Sequence, residues 1–456
     1  MTFSQHVRRA AFAALAGGTL VAGTLTACSG GQEAASDGGS ATAGTVNWWS
    51  WTPDNDLAGR EIAAFNEEYP DIEVVYKKVP IDNYAALLRP ALASDDGPDV
   101  FTVNASGSFS GTTFAPYALD LTEGTKKLLG EDWQSKVSPI GVKAFTVKGR
   151  LVASQWAKVG AGNMWINQEA FDQYGVKVPT NLAEWQQACD TFRANGLGCF
   201  REGMGGTSGF VIDTLHSIMD SYQPGLWSDL LAGKAKWTDA GVVQSLQILQ
   251  DLTTSGILDE GATGIQQYPD VNNDFLTGKV PMVQMGTWYQ QYASVASLTA
   301  ALEGAGVPAD TKKITIMPIP FPDVAGKGNP STLFTDPDAG QAVNAKSKVR
   351  NAAETFALWL GNTENGQQVV ANNLDEFPTL NGVDVQFEKA TLVNPAVQEP
   401  ALKDLTTQLA SATEARSYGI GAQLSAAIVQ ACQQVTSGKK PADVVDAVQA
   451  AAATGE

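Results

Sequence analysis

The segment from residue 46 to residue 103 alternates between short apolar runs and amphipathic stretches, which constrains the fold more than any other feature. Residues 46–49, 72–76 and 99–103 predict strands, and residues 82–93 predict a helix. Between the first two strands, apolar residues recur at steps of four, three and four, as on one helix face: Ala58, Ile62, Phe65 and Tyr69. Strand, helix, strand, helix, strand indicates an α/β fold with a parallel sheet covered by helices.

Ligands of such sheets gather beyond the carboxyl ends of the strands, which singles out residues 50–54 and 104–108. An apolar pair of segments within residues 149–167 predicts a hairpin. Later apolar patterns predict helices over residues 182–194, 210–222, 242–254, 272–276, 352–360, 363–372, 423–435 and 442–452, and strands over residues 280–285 and 314–319.

Charge and histidine content exclude several functions. The chain has 456 residues, enough for two or three domains, with 30 Lys and Arg against 48 Asp and Glu, a formal charge of −18. Such acidity argues against a protein that binds nucleic-acid phosphates. The two histidines are His6 and His216, so a catalytic pair would have to use His216 once the start of the chain is removed. One remaining histidine also excludes a metal site with several histidines, and we expect no metal and no cofactor.

The first 27 residues predict an export signal. Arg8 and Arg9 precede a short apolar stretch over residues 10–25, which is typical of a signal peptide rather than a membrane span. The sequence Leu25-Thr26-Ala27-Cys28 resembles the lipobox of bacterial lipoproteins, in which the cysteine is acylated, for example with palmitate. A plain signal peptide with an incidental cysteine is the alternative. Residues 28–45 are rich in Gly, Ser and Ala and predict a flexible tether on the extracellular face of the cell membrane.

The remaining cysteines fit an oxidising compartment. Cys189 and Cys199 lie ten residues apart around an Asn195-Gly196 turn, which predicts a local disulfide. Cys432 lies in an apolar helical stretch and predicts a buried free thiol.

Five further motifs share one order and spacing with a known family. They are FNEEYPDIEV (residues 65–74), ASDDGPDV (93–100), NMWINQEAF (163–171), FLTGKVPM (275–282) and GTW (286–288). Together they resemble extracellular solute-binding protein family 1, the maltose-binding-protein-like, sugar-binding proteins of ABC importers. The resemblance covers nearly the whole chain after the tether, and the last sixty or so residues match only in helical texture.

This resemblance implies two α/β lobes of the class II periplasmic-binding-protein type, each a mainly parallel sheet flanked by helices. Ligand lies in the cleft between the lobes, and binding closes it. The implied chain crossings between lobes lie near residues 153–155, 336–340 and 385–389. The implied boundaries are residues 46–153 with 341–386 for lobe I, and residues 154–340 with 387–456 for lobe II.

The family's ligands suggest which aromatic residues form the site. Aromatic rings match the flat C–H faces of a sugar, and carboxylates and amides match its hydroxyls. Trp288 follows a predicted strand and Gly286, where related proteins place a tryptophan that stacks on sugar. Its neighbour Tyr289 is a second candidate, although one of two adjacent residues at a helix start usually faces inward. Trp51 lies past the first strand, in a loop that supplies ligand contacts in the family.

Polar candidates lie in the same loops. Asp54 either accepts sugar hydroxyls or caps the following helix. Asn104 and Ser106 follow the third strand, where a maltose-binding relative carries an aromatic residue and an acid, so this departure argues against maltose itself. Trp156, at the first crossing, either forms a cleft wall or packs the hinge. The cleft loops hold no cluster of Arg or Lys, which favours a neutral ligand.

These features predict a lipid-anchored, substrate-binding component of an ABC importer rather than an enzyme. It would capture a neutral oligosaccharide and deliver it to permease subunits, as a monomer that meets the membrane only through its anchor. The alternative is a lipid-anchored glycoside hydrolase that uses a carboxylate pair, because that chemistry needs no histidine. No local motif places two acids beside the aromatic loops, which argues against that alternative.

Overall fold

The structure is a computed structural model that describes residues 38–206, 209–308, 314–329 and 331–454. The predicted signal peptide and Cys28 lie outside these residues. The strands are β1 (Gly44–Ser50), β2 (Ile72–Lys78), β3 (Val100–Asn104), β4 (Thr146–Val147), β5 (Arg150–Leu151), β6 (Ser154–Gln155), β7 (Val159–Ala161), β8 (Asn163–Asn167), β9 (Phe200–Arg201), β10 (Met282–Gln284), β11 (Ile316–Pro320), β12 (Phe334–Asp336) and β13 (Ala339–Val343).

The helices connect and cover these strands. They are α1 (Asn55–Glu68), α2 (Ile81–Ala93), α3 (Gly111–Phe114), α4 (Thr122–Leu129), α5 (Pro139–Phe145), α6 (Gln168–Tyr174), α7 (Leu182–Ala194), α8 (Val211–Tyr222), α9 (Leu226–Leu231), α10 (Ala240–Thr254), α11 (Asn272–Leu276), α12 (Val295–Gly304), α13 (Arg350–Asn362), α14 (Glu364–Asn372), α15 (Pro395–Ser411), α16 (Ala422–Thr436) and α17 (Val445–Ala452). Among the residues that the structure describes, no helix has both the length and the apolar character needed to cross a membrane.

The first sheet contains β2, β1, β3, β13 and β6, in that order. β1 pairs in parallel with β2 and β3, because α1 and α2 return the chain to the same end of the sheet. The element order predicted for residues 46–103 is therefore confirmed. β13 runs antiparallel to both β3 and β6. We call this sheet and the elements packed on it the first lobe.

The second sheet contains β11, β8, β10 and β9, and we call it and its covering elements the second lobe. β8 is antiparallel to β11 and to β10, whereas β10 and β9 are parallel. The α/β class with two separate sheets is confirmed, with one correction: both sheets are mixed rather than mainly parallel. The reason is that β13 and β8 are reached by passages between the sheets, which impose no parallel direction.

The hairpin predicted within residues 149–167 is wrong. β5 pairs with β4, β6 joins the first sheet, and β8 joins the second. The two apolar runs are both buried, but each is buried in a different sheet. The segment is therefore a passage from one sheet to the other, continued by β7, which pairs with β12.

Alternation along β8 explains how the second sheet is covered on both faces. Met164 and Ile166 point into a cluster that includes Phe192, whereas Trp165 points into a cluster that includes Phe275. A third apolar cluster packs around the first sheet. The local cross-link of the second lobe is the disulfide between Cys189 and Cys199, whose Cα atoms lie 5.0 Å apart. Cys432 is buried and free, and burial raises the pKa of its thiol.

Candidate functional site

Trp288 lies on a short 3-10 helix, Thr287–Ala293, that follows β10. Its ring folds back over Gly286, where an added Cβ would lie 1.9 Å from Cζ3 of the ring. Glycine is required at that position because a side chain would displace the tryptophan. Trp288 remains half-buried, whereas the neighbouring Tyr289 is fully buried. The end of β10 thus leaves part of one aromatic ring accessible and places the next ring in the core.

Two aromatic side chains and a guanidinium group lie beside this ring. Nε1 of Trp288 donates a hydrogen bond to the hydroxyl of Tyr268 at 3.0 Å. The ring of Phe210 lies 6.0 Å from that of Trp288 and 5.7 Å from that of Tyr268. Cζ of Arg416 lies 5.0 Å from the Trp288 ring centroid, within the range of a cation–π contact. We call these four residues the second-lobe side of the site.

Arg416 is held by two carboxylates. Its Nε and Nη2 both donate to Asp213 on α8 at 2.8 Å, a bidentate pair. The backbone NH groups of residues 416, 417 and 418 all donate to Asp336, at the end of β12. The guanidinium group is therefore fixed both by its own ion pair and by the strand under its backbone.

Four residues predicted to bind ligand lie at the ends of strands of the first lobe, and we call them the first-lobe side of the site. Trp51 is half-buried and packs edge-on against Tyr84 at 5.1 Å. Asp54 precedes α1 but makes no side-chain capping bond; it pairs with Lys78 instead. The side chain of Asn104 accepts from the backbone NH of Ser106 at 3.1 Å. The first-lobe side consists of Trp51, Asp54, Asn104 and Ser106.

Direct hydrogen bonds join the two lobes. The hydroxyl of Tyr292 donates to Oδ2 of Asp54 at 2.8 Å. Nη2 of Arg60, on α1, donates to the hydroxyl of Ser297, on α12, at 2.9 Å. The hydroxyls of Ser106 and Ser417 lie 3.3 Å apart. The structure therefore shows the two lobes joined by direct hydrogen bonds next to the site.

Two predicted site residues have no exposed surface in this conformation. Tyr289 packs against Trp165 and Tyr292, which explains its burial, and its hydroxyl has no hydrogen-bond partner among the described residues. Trp156 lies in the apolar cluster of the first lobe, and its carbonyl accepts from Gln367 at 2.9 Å. Trp156 is thus buried in this conformation, and its assignment to the ligand site stays a prediction.

Buried acids lie where the chain passes between the lobes. Asn104 donates to Asp338 at 3.3 Å, and burial raises the pKa of Asp338 to about 6 although attraction by Arg416 opposes the rise. Burial also raises the pKa of Glu376, and repulsion by Asp338 and Asp375 adds to the effect. Oε2 of Glu376 accepts no hydrogen bond from the described part of the chain. These groups provide acceptors in an environment of low polarity.

Sequence reasoning missed Tyr268, Arg416 and Asp338. Each lies outside any periodic helix or strand, so no apolar pattern points to its position. For Asp338 a usable signal existed, because it stands within the predicted crossing at residues 336–340. For Arg416, nothing in the local sequence indicates that it contacts Trp288.

Comparisons with known proteins agree with this architecture. The family described as bacterial extracellular solute-binding protein matches residues 61–398. No curated protein sequence matches the chain.

Solved structures of several sugar-binding proteins share the fold. A protein studied for xylan utilization by Caldanaerobius polysaccharolyticus is 19% identical, with a TM-score of 0.69 over 89% of this chain and 99% of that one. Maltose-bound MalE3 of T. maritima is 17% identical, with a TM-score of 0.68 over 90% and 99%. The GacH receptor of Streptomyces glaucescens, solved unliganded and with acarbose, is 21% identical, with a TM-score of 0.66 over 91% and 98%. At these identities the likeness establishes the fold, with two α/β lobes.

Proposed function

The chain belongs to the bacterial extracellular solute-binding protein family, and on this premise we propose that it binds a neutral carbohydrate between its lobes and delivers it to an ABC importer. The resemblance indicated by the sequence motifs is confirmed at the level of the family. Beyond the family, we propose the class of ligand, the lipid anchor, the permease partner and release of the carbohydrate without reaction.

The observation that carries the proposal is the position of Trp288. A half-buried indole, with its Nε1 already bonded to Tyr268, offers its remaining surface for stacking rather than for hydrogen bonding. Stacking suits the C–H face of a sugar ring. Acceptors for the sugar hydroxyls lie on both lobes, in Asp54 and in the buried Asp338. Aromatic surface combined with carboxylate acceptors is what a polyhydroxylated ring requires.

The charges around the site support a neutral ligand. Arg416, the cation nearest Trp288, is paired bidentately with Asp213 and attracted by Asp336 and Asp338. An anionic ligand would have to displace Asp213 and would face Asp54 and Asp338. A neutral polyol meets neither obstacle, because its hydroxyls donate to a carboxylate without like-charge repulsion.

The ligands of structurally similar proteins point to the same class of compound. The solved relatives include proteins bound to maltose, acarbose and stachyose. They differ in the sugar, which fits a fold whose loops set specificity. We therefore assign this chain an oligosaccharide or a related polyol, without naming the sugar.

Capture follows from contacts made by both lobes. A ligand that touches Trp288 of the second lobe and Asp54 of the first binds the closed arrangement more tightly than an open one. That difference in affinity shifts the population towards closure. The lobe boundaries are proposed as residues 46–153 with 341–386, and residues 154–340 with 387–456.

Delivery requires the protein to remain near its permease. We assign this role to acylation of Cys28 and a tether over residues 28–45, which together hold a monomer at the extracellular face of the membrane. Asp54, Asp338 and Trp288 bind the carbohydrate without reacting with it, and it leaves the site chemically unchanged.

A thermal-shift screen against carbohydrates tests the ligand class. A compound that binds the folded state alone raises its melting temperature, and at 100 times Kd the stabilisation is about 2.7 kcal/mol. We expect a shift of several degrees for one group of neutral oligosaccharides and none for sugar phosphates. Absence of a shift with every carbohydrate contradicts the proposal.

Chromatography tests whether the carbohydrate is altered. The bound sugar should be recovered intact after prolonged incubation; hydrolysis that disappears on mutation of a site acid would show an enzyme.

Metabolic labelling with palmitate tests the lipid anchor. It should label the wild type and not Cys28→Ser, while Cys432→Ser, a control in the folded part, should retain the label.

A further inference from the structure

A histidine and two carboxylates converge on the face of α8 that also carries Asp213, the partner of Arg416. His216 and Asp220 are one helical turn apart, at positions i and i+4, and Glu414 approaches from the segment that precedes Arg416. Nε2 of His216 lies 3.3 Å from Oε2 of Glu414 and 3.9 Å from Oδ1 of Asp220. One ligand atom from each residue falls within 4.8 Å of the other two.

The imidazole is fixed in orientation. The ring of Phe334 stacks on one side at 3.8 Å, with an interplanar angle of 11°. The ring of Trp227 stacks at 4.5 Å, with an angle of 16°. His216 is fully buried between these rings. Its Nε2 is therefore directed at the two carboxylates by packing, since Nδ1 has no hydrogen-bond partner among the described residues.

The cluster carries more negative than positive charge. Burial raises the pKa of Asp220 to about 6, an effect that His216 opposes and Glu414 increases. The hydrogen bond from His216 lowers the pKa of Glu414. Two carboxylates, those of Asp220 and Glu414, therefore face a single imidazole. Among the described residues, no Lys or Arg forms an ion pair with Asp220 or Glu414.

From this geometry we infer that His216, Asp220 and Glu414 form a binding site for one divalent transition metal ion of the zinc type. Ligand atoms at about 2.1 Å from a tetrahedral ion lie about 3.4 Å apart, which the 3.3 Å contact already meets. Asp220, whose Oδ2 accepts from Thr332 at 3.4 Å, would have to turn towards Nε2 to close the 3.9 Å contact. One imidazole with two carboxylates suits zinc better than calcium, which prefers six or more oxygens.

The site is accessible and lies next to the ligand-binding segment. The side chain of Glu414 is 24% exposed, which gives an ion a route from solvent. Asp213, one turn before His216 on α8, holds Arg416, which is two residues after Glu414. A bound ion would thus be a second link between α8 and the segment that contains Glu414 and Arg416. This inference rests on the triad alone and does not depend on the proposed carbohydrate.

Calorimetry on the purified, exported protein tests the site. After treatment with EDTA and dialysis, the protein is titrated with Zn²⁺, and the bound metal is measured by elemental analysis. We expect one Zn²⁺ per chain and a rise in melting temperature with Zn²⁺, with no saturable binding of Ca²⁺. Glu414→Gln and Asp220→Asn should each weaken Zn²⁺ binding at least tenfold, because each removes one ligand. Glu399→Gln, which neutralises an exposed carboxylate paired with Lys403, is the matched control and should bind as the wild type.

Two outcomes overturn the inference: no stoichiometric Zn²⁺ binding, or binding of wild-type strength in both Glu414→Gln and Asp220→Asn. Because Glu414 is partly exposed, its variant should keep the unliganded melting temperature, which separates ligand loss from misfolding. Equal binding of Ca²⁺ overturns the assignment to the zinc type.

Discussion

The two sides of the site are built in different ways. The first-lobe side follows strands β1 and β3, which lie side by side in one sheet and within about 60 residues of sequence. The second-lobe side is collected from four segments, at Phe210, Tyr268, Trp288 and Arg416, separated by as much as half the chain. Adjacent parallel strands bring their carboxyl ends together automatically, whereas the second assembly depends on the complete tertiary structure.

The two sides also differ in how far their side chains are already engaged in contacts within the protein. On the first-lobe side, Trp51 packs edge-on against Tyr84, and Asp54 is paired with Lys78 and Tyr292. On the second-lobe side, Trp288 has one hydrogen bond and an accessible ring. We therefore expect affinity to depend mainly on the second-lobe side, and closure to depend on the first-lobe side.

Replacing the two tryptophans separately gives the largest expected contrast. Trp288→Ala removes the stacking surface and should weaken carbohydrate binding about 100-fold, or about 3 kcal/mol. Trp51→Ala should weaken binding less. Both rings are half-buried and pack on two aromatic neighbours, so the two variants should lower the unliganded melting temperature by similar amounts. Calorimetry measures the carbohydrate affinity of the two variants, and thermal unfolding measures their melting temperatures. Equal losses of affinity would contradict the expectation that affinity depends mainly on the second-lobe side.

Arg416→Lys tests whether the second-lobe side acts as a fixed unit. Lysine keeps the charge but loses the bidentate bond to Asp213 and the planar group beside Trp288. We expect binding to weaken about 30-fold, or about 2 kcal/mol. Arg350→Lys, which changes a partly exposed arginine at the start of α13, is the control. Unchanged affinity in Arg416→Lys would remove Arg416 from the site.

Most of the fold could be predicted because its elements leave local signals. The steps of four, three and four in α1 and the Pro-Asp that follows it define that helix, and α7 and α11 agree with their apolar patterns at both ends. The error within residues 149–167 has a physical cause. Two buried apolar runs look alike in sequence whether they pair with each other or lie in different sheets.

The site could be predicted only where strand ends determine position. Trp51 follows β1, Asn104 ends β3 and Trp288 follows β10, so these positions could be predicted, while their part in binding stays a prediction. Arg416 comes to Trp288 because Asp336 holds three successive backbone NH groups of its segment. These hydrogen bonds join residues 80 positions apart, and no periodic pattern in the sequence predicts them.

Asp338 links the two sides, since it accepts from Asn104 and is attracted by Arg416. Its pKa of about 6 lies above the ordinary value of an aspartic acid, so the folded state binds this proton more tightly than the unfolded state. The corresponding stability is present at low pH and is lost as the pH rises from about 4 through 6. Relative to Asp338→Asn, the free energy of unfolding of the wild type should fall by about 2 kcal/mol over this range.

Asparagine is the suitable replacement because residue 338 has a φ of +42°, a conformation that asparagine tolerates. Denaturant unfolding at several pH values measures the difference between the two proteins. Parallel pH profiles would show that Asp338 does not titrate between pH 4 and 7.

Tyr292→Phe gives the smallest and most specific test, because it removes one hydroxyl that joins the lobes at Asp54. We expect carbohydrate affinity to fall about fivefold, or about 1 kcal/mol, since a hydrogen bond that favours closure is lost. Small-angle scattering should show a more open unliganded protein. Tyr289→Phe is the matched control, because the Tyr289 hydroxyl has no hydrogen-bond partner among the described residues. If both variants lose affinity equally, the Tyr292–Asp54 bond does not favour closure, and the first-lobe side has no separate part in it.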